Sequence, residues 1–283
     1  MRRIGSRHQR TLAAPAEVRG AGLVTGTPVR LRFVPAAANA GLAFLRTDLP
    51  GCPLTRAVAA NVVGTARRTT LGGDAGVTLV EHVLAALAGL RVDNCLIELD
   101  GPEPPGLDGS AAGFVDALTA TGVVLQTATR DVWAATAPIV VSHNGATVGL
   151  HPPAPGDGTT LRASYLLDYG LGSPIPQQKY TLTVTPDAFA QEVSACRTFL
   201  LEAEAHALRA QGIGTHLKPD DVVVFGPRGP VGNRLRFADE PARHKVLDLV
   251  GDLALCGFDV AGHVVGYRAG HALNVALAAK LVG

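Results

Sequence analysis

Apolar residues return every three or four positions through Glu81–Leu90 and again through the segment that begins at Arg243, which predicts two amphipathic helices. In the second, Val246, Leu247, Leu249, Val250 and Leu253 form a core-facing stripe. Beside it His244, Asp248 and Asp252 fall one turn apart on a stripe of their own. Burying three ionisable groups among apolar residues is costly unless a metal or a partner satisfies them. A His and an Asp at i, i+4 make half of a zinc site, so the other half is expected from elsewhere in the chain.

The pattern repeats. Glu81–Leu90 is followed by a strand-like Asn94–Leu99, and then by Asp108-Gly109-Ser110-Ala111 opening a helix that ends near Gly122; Asp108 or Ser110 is suited to cap it. The His244 helix is followed by a strand-like Val260–Tyr267, and then by Gly270-His271-Ala272 opening a helix through Leu281. Alternating strands precede each unit: Val29–Val34 and Leu42–Leu45 in the first half; Ile139–Val141, Thr147–Leu150, Leu161–Leu167 and Tyr180–Val184 in the second. The fold class expected is α+β, with two similar domains, each a layered sandwich with helices between sheets, related by a pseudo-two-fold repeat. Residues 1–126 would carry Glu81 and His82. Residues 127–283 would carry His244, Asp248, His271 and an insert near 197–225. Coincidence is the rival explanation, because helix-strand-helix is common in α+β proteins. Two further helices are expected, Pro186–Val193 and Glu202–Ala210.

The 283 residues are enough for one large or two moderate domains. A net charge of +1 gives no electrostatic case for nucleic acid. Hydrophobic content is 47%, yet no apolar run reaches membrane-spanning length. Cys52, Cys95, Cys196 and Cys256 show no CxxC pairing, and are expected as buried reduced thiols in a cytoplasmic protein. The Arg-rich start (Arg2, Arg3, Arg7, Arg10) lacks the apolar core of a secretory signal and is expected as a solvated end. His8, His143, His151, His206, His216 and His263 lack metal spacing and are expected on the surface or in loops, with His216 in a Gly-rich stretch that could approach a site. Gly101–Gly106 reads as a rigid structural turn.

If the halves pack about a pseudo-two-fold axis, His82 joins His244 and Asp248. Three protein ligands with one open position is the catalytic form of a zinc site, in which zinc lowers the pKa of a water toward ~7 and polarises a carbonyl. Glu81, next to His82, is placed to act as general base. His271 could stabilise an oxyanion or protonate a leaving amine, with Asp252 the candidate carboxylate that keeps it charged; its other reading is an exposed residue at a helix start. Thr198 could hydrogen-bond an oxyanion or be purely structural. Lys245 could meet substrate or simply lie in solvent. The apolar side of Glu202–Ala210 could cover the core or line a passage for an acyl chain.

Together, Leu79-Val80-Glu81-His82, Asp93-Asn94, Asp108-Gly109-Ser110-Ala111, Arg197-Thr198-Phe199, Arg243 through Asp248, Gly251-Asp252-Leu253 and Gly270 through Asn274 resemble the UDP-3-O-acyl-N-acetylglucosamine deacetylases. These are zinc enzymes of lipid A synthesis, and the resemblance runs from about Arg10 to Leu281. It implies Zn2+ on His82, His244 and Asp248, with Glu81 as base. It also implies His271, oriented by Asp252, as acid or electrostatic stabiliser, and Thr198 at the oxyanion. Lys245, Phe199, Arg197 and Leu200 would form the substrate-binding set, with an acyl passage around Leu200–Ala210. The implied substrate is a UDP-linked acylated glucosamine that loses acetate from its 2-acetamido group, with peripheral membrane contact through the acyl chain. The chain departs from the family at Val24, where well-known members carry a His, and across Gly214–Asp221. Both departures bear on substrate contact. They leave two alternatives: the same chemistry on a different acylated amino-sugar nucleotide, or a non-catalytic metal-stabilised binder, against which the intact Glu81, Asp252 and His271 argue.

Overall fold

The computed structural model describes residues 1–73 and 75–283. Among the described residues there are six α-helices: α1 (Glu81–Gly89), α2 (Ala112–Thr121), α3 (Pro186–Ala188, continued by a π turn over Phe189–Val193), α4 (Glu202–Ala210), α5 (Glu240–Leu253) and α6 (His271–Val282). None is long and apolar enough to cross a membrane.

The sheets carry the repeat. In the first half the order is Ala16–Ala21, Pro28–Pro35, Cys95–Leu99, Leu42–Arg46, Leu54–Arg56. In the second it is Ile139–His143, Ala146–His151, Asp259–Tyr267, Leu161–Leu167, Gln178–Thr183. Each of these five-strand orders holds an equivalent parallel pair, Leu42–Arg46 with Cys95–Leu99 and Leu161–Leu167 with Asp259–Tyr267; the other neighbours within the two orders run antiparallel. Parallel neighbours need a crossover, and α1 and α5 lie within the two equivalent crossovers. The fold is α+β, layered and twofold-repeated, as the periodicity predicts.

The two crossover helices are the buried centre. All of α5 is buried except Arg243 and Lys245, and all of α1 except Ala88. Gly251 is where they touch: a Cβ there would lie 2.2 Å from the backbone oxygen of Glu81 and 3.2 Å from Ala85 Cβ. Apolar residues of both sheets and these helices, among them Phe33, Phe44, Ile97, Leu150 and Val264, merge into one core.

Three expectations are corrected. The Arg-rich start is a strand, Arg2–Leu12, paired antiparallel along Val123–Ala134. Arg7 is neutralised there by Asp93 and Asp259, at 2.7 and 2.5 Å, so its charge does not require a solvated end. The partner of Arg2–Leu12, Val123–Ala134, is one strand whose end also pairs in parallel with Asp259–Ala261. Cys52 is exposed, at φ 45° in a surface turn, whereas Cys95, Cys196 and Cys256 are buried. His263 is half-buried in a strand, its Nε2 2.7 Å from Ser164 Oγ.

A candidate metal and acid–base centre

The Gly251 crossing sets the geometry. Because α1 begins at that contact, Glu81 and His82 lie against the α5 face that carries His244, Asp248 and Asp252. Potential ligand atoms of His82, His244 and Asp248 all fall within 4.8 Å of one another. Asp248 Oδ1 is 3.6 Å from His82 Nε2 and 3.3 Å from His244 Nε2. That oxygen is buried and has no hydrogen-bond partner, a costly state for a carboxylate that a cation would relieve. His244 Nδ1 faces the Cys196 carbonyl at 3.0 Å, which directs its Nε2 to the same point. Burial lowers the His244 pKa to about 3, so the imidazole is neutral and its lone pair is available. Burial opposes ionisation of Asp248, but His244, Lys245 and His271 outweigh it and hold the carboxyl well below its usual range. Two imidazoles and one carboxylate are a donor set that suits zinc.

A second cluster faces this one. His271 opens α6 and is 7% exposed, so the exposed reading does not hold. Its Nδ1 is 2.9 Å from Asp252 Oδ2, and its Nε2 is 3.8 Å from Glu81 Oε1 and 3.9 Å from Asp248 Oδ2. Burial works against an imidazolium, but Asp252, Glu81 and Asp248 raise the His271 pKa to about 10. Glu81 is 2% exposed, and burial raises its pKa, the direction a general base near neutral pH needs.

Sequence reasoning missed the residues that hold this cluster. Thr69 donates its backbone N–H to Glu81 Oε2 at 3.0 Å and its hydroxyl to Asp252 Oδ1 at 2.6 Å, fixing base and orienting carboxylate from one residue. Nothing in the run Arg67-Arg68-Thr69-Thr70 marks it. Asn274 donates to Asp252 Oδ2 at 2.9 Å; its spacing of three from His271 on a helix is a signal that could have found it. Glu103, in the segment read as a structural turn, is 1% exposed and accepts the backbone N–H groups of Val24 and Thr25 at 3.0 and 2.7 Å. It fixes the Gly-rich turn.

The expected substrate-contact residues divide. Lys245 Nζ donates to Asp248 Oδ2 at 2.8 Å and lies 5.5 Å above the Phe199 ring; burial lowers the Lys245 pKa, but Asp248 more than compensates and keeps it charged. The Phe199 ring stands edge-on to His244 at 6.0 Å and to Tyr169 at 6.1 Å. Thr198 is half-buried just before Phe199, its backbone N–H on Gly109 O at 2.8 Å. Leu200 follows in the short strand Phe199–Leu201, half-buried. Arg197 departs from the expectation of substrate contact. Its guanidinium donates to Glu240, Asn233 Oδ1 and the carbonyls of Arg234 and Asp220, which uses all five of its N–H groups. The expected insert is built as strand Phe199–Leu201, α4, strand Val223–Gly226 and a short return over Gly229–Pro230. The two departures meet there: a Cβ on Gly26 would lie 2.6 Å from His216 Nδ1.

Comparison with known proteins gives one family. Residues 9–283 match the model of the family LpxC, UDP-3-O-acyl N-acetylglycosamine deacetylase. A relative from Trichormus variabilis named UDP-3-O-acyl-N-acetylglucosamine deacetylase is 41% identical over 280 residues, covering 97% of this chain and 98% of its own. Relatives of the same name from Bdellovibrio bacteriovorus and Thermosynechococcus vestitus are 38% identical over 275 residues and 41% over 271. Those alignments cover 96% and 95% of this chain, and 89% and 92% of the relatives.

Proposed function

The chain belongs to the UDP-3-O-acyl-N-acetylglucosamine deacetylase family, and from that premise we propose that it hydrolyses the 2-acetamido group of a UDP-linked, 3-O-acylated glucosamine, releasing acetate in lipid A biosynthesis. The observation that carries this is the facing of two clusters. Buried Glu81 and the Asp252–His271 pair look onto the point where His82, His244 and the orphaned Asp248 Oδ1 converge.

His82, His244 and Asp248 would hold zinc. When bound there, the ion acts as a Lewis acid that acidifies a water and polarises the acetyl oxygen. Glu81 takes the proton from the attacking water as the new C–O bond forms. Thr198 donates a hydrogen bond to the oxygen that gains charge, a role its place beside Phe199 supports. His271, kept cationic by Asp252, gives its Nε2 proton to the sugar nitrogen as the C–N bond breaks, leaving a free amine and acetate. Asp252 and Thr69 act by orienting these groups. Lys245 and Phe199 line the approach, and Tyr169 with the exposed Leu171 supplies apolar surface for the acyl chain. Leu200 and α4 extend that surface, which supports peripheral contact with a membrane during loading. Arg197 contributes by holding Thr198 and Phe199 in place. The cytoplasm is the proposed compartment, in keeping with a sugar-nucleotide substrate.

The test is acetate release by zinc-loaded protein from the acylated UDP-sugar and from UDP-N-acetylglucosamine. Release from the acylated substrate, with little from the other, supports the proposal; tight binding with no acetate makes the chain a binder instead. The meeting of His216 with the Gly-rich turn that carries Val24 favours one second reading, the same reaction on a different acylated head group. Faster turnover of a UDP-sugar other than the glucosamine derivative would establish that version.

A further inference from the structure

Behind the helix pair, away from the residues above, lies a cavity of about 300 Å³. Val250 lines it from α5 and stands about 200° around the helix from Asp248, so the cavity and the metal point occupy opposite faces. Its walls come from both halves of the molecule, Leu42 and Arg56 on one side and Leu161 and Val184 on the other. Ala88 and Phe258 add apolar surface to a lining that also carries polar side chains, Asn39 and Thr159 among them.

Four arginines line this cavity, and two are balanced. Arg7 and Arg130 share Asp93 and Asp259 at 2.5 to 3.3 Å. Arg56 and Arg91 differ: among the described residues neither has a carboxylate within 4.0 Å, and neither guanidinium donates a hydrogen bond. Arg91 is half-buried in this state; burial and the nearby charge of Arg7 lower its pKa. Its backbone is also held in place, at φ 57° just beyond the Leu90 cap of α1, with its N–H on Ala88 O at 3.0 Å. A half-buried guanidinium, Arg91, and an exposed one, Arg56, beside apolar side chains of the same cavity are complementary to an anion with an apolar body.

We propose that this cavity is a second binding site, which takes a small anionic amphiphile with its acid head on Arg56 and Arg91 and a short acyl body against Leu42, Leu161 and Val250. The site lies apart from the catalytic residues and stands or falls independently of the deacetylase reading. Bound there, the ligand would bridge the two repeated halves.

The test is calorimetric titration of the zinc-loaded full chain with decanoate and with decanol, on the natural protein and on an R56Q/R91Q double variant, with melting temperatures to show that each is folded. Decanoate is expected to bind the natural protein. Loss of both guanidiniums is expected to weaken it at least about tenfold, and decanol is expected to bind at least about tenfold more weakly than the acid. Should the left-handed position of Arg91 make the double variant unstable, R56Q alone is expected to weaken decanoate several-fold. Undiminished binding to the folded variant would place the acid elsewhere, the catalytic centre included, and overturn the proposal. Equal affinity for decanol, or no binding of decanoate at all, would overturn it too.

Discussion

Glu81 and His271 show how environment assigns roles to side chains that are unremarkable by type. One is a carboxylate with its pKa raised by burial; the other is an imidazole held cationic by three carboxylates. Activity should therefore rise with pH as Glu81 loses its proton and fall as the pH climbs toward about 10, where His271 loses its own. In His271→Gln the alkaline fall should disappear and kcat should drop by about 10²–10³; a profile that keeps its alkaline limb would remove His271 from the role. Glu81→Ala should retain metal and lose about 10²–10⁴ in turnover, checked by metal analysis alongside acetate release. Full activity in that variant would defeat the assignment of the base. At this scale the clustering of His244, Asp248 and Asp252 was the most legible part, because the three share a helical stripe. Thr69 was illegible, since its role arises from an approach to residues 12 and 183 positions away that no local spacing encodes.

The α1–α5 crossing is the element on which the site depends. Close approach of the two backbones is possible because position 251 has no Cβ. Gly251→Ala would drive a methyl into the Glu81 carbonyl, and the helices would have to separate. The expected cost is roughly 1–3 kcal/mol of stability, read as a lowered unfolding midpoint. Catalytic loss should accompany it, because Glu81 and His82 move with α1 while Asp248 and Asp252 stay with α5. A variant with unchanged stability and activity would show that the crossing tolerates slack. Both helices were readable in advance from their 3.6-residue periodicity, and α4 matches its expected span, Glu202–Ala210. The strands Arg2–Leu12 and Val123–Ala134 were not. Arg7 looks like a solvated residue until Asp93 and Asp259 are brought beside it, and those partners lie 86 and 252 positions along the chain.

Across the whole molecule, the repeat places one of the proposed metal ligands in one half and two in the other. His82 comes from the first crossover, and His244 and Asp248 from the second. A cation held by all three would act as a staple between halves, so removing it with a chelator should lower the melting temperature. The stabilisation lost is about 4 kcal/mol where zinc stood at a thousand times its Kd, and His82→Ala should show a much smaller response. A melting curve indifferent to chelation would mean that the halves are joined without the ion. The repeat was legible because its two copies use the same helix-strand-helix grammar, and the matching sheet orders show why: each half needs a crossover with a buried helix to connect its equivalent parallel pair. The added pairing of Arg2–Leu12, Val123–Ala134 and Asp259–Ala261 has no counterpart in that grammar and could not be read from it.

Diffraction from crystals of zinc-loaded protein at the zinc absorption edge tests the central claim most directly. The account predicts one anomalous peak between the two crossover helices, about 2.0–2.2 Å from a nitrogen of His82, a nitrogen of His244 and an oxygen of Asp248. A peak ligated by other side chains, or none at that point in protein that releases acetate, would contradict it.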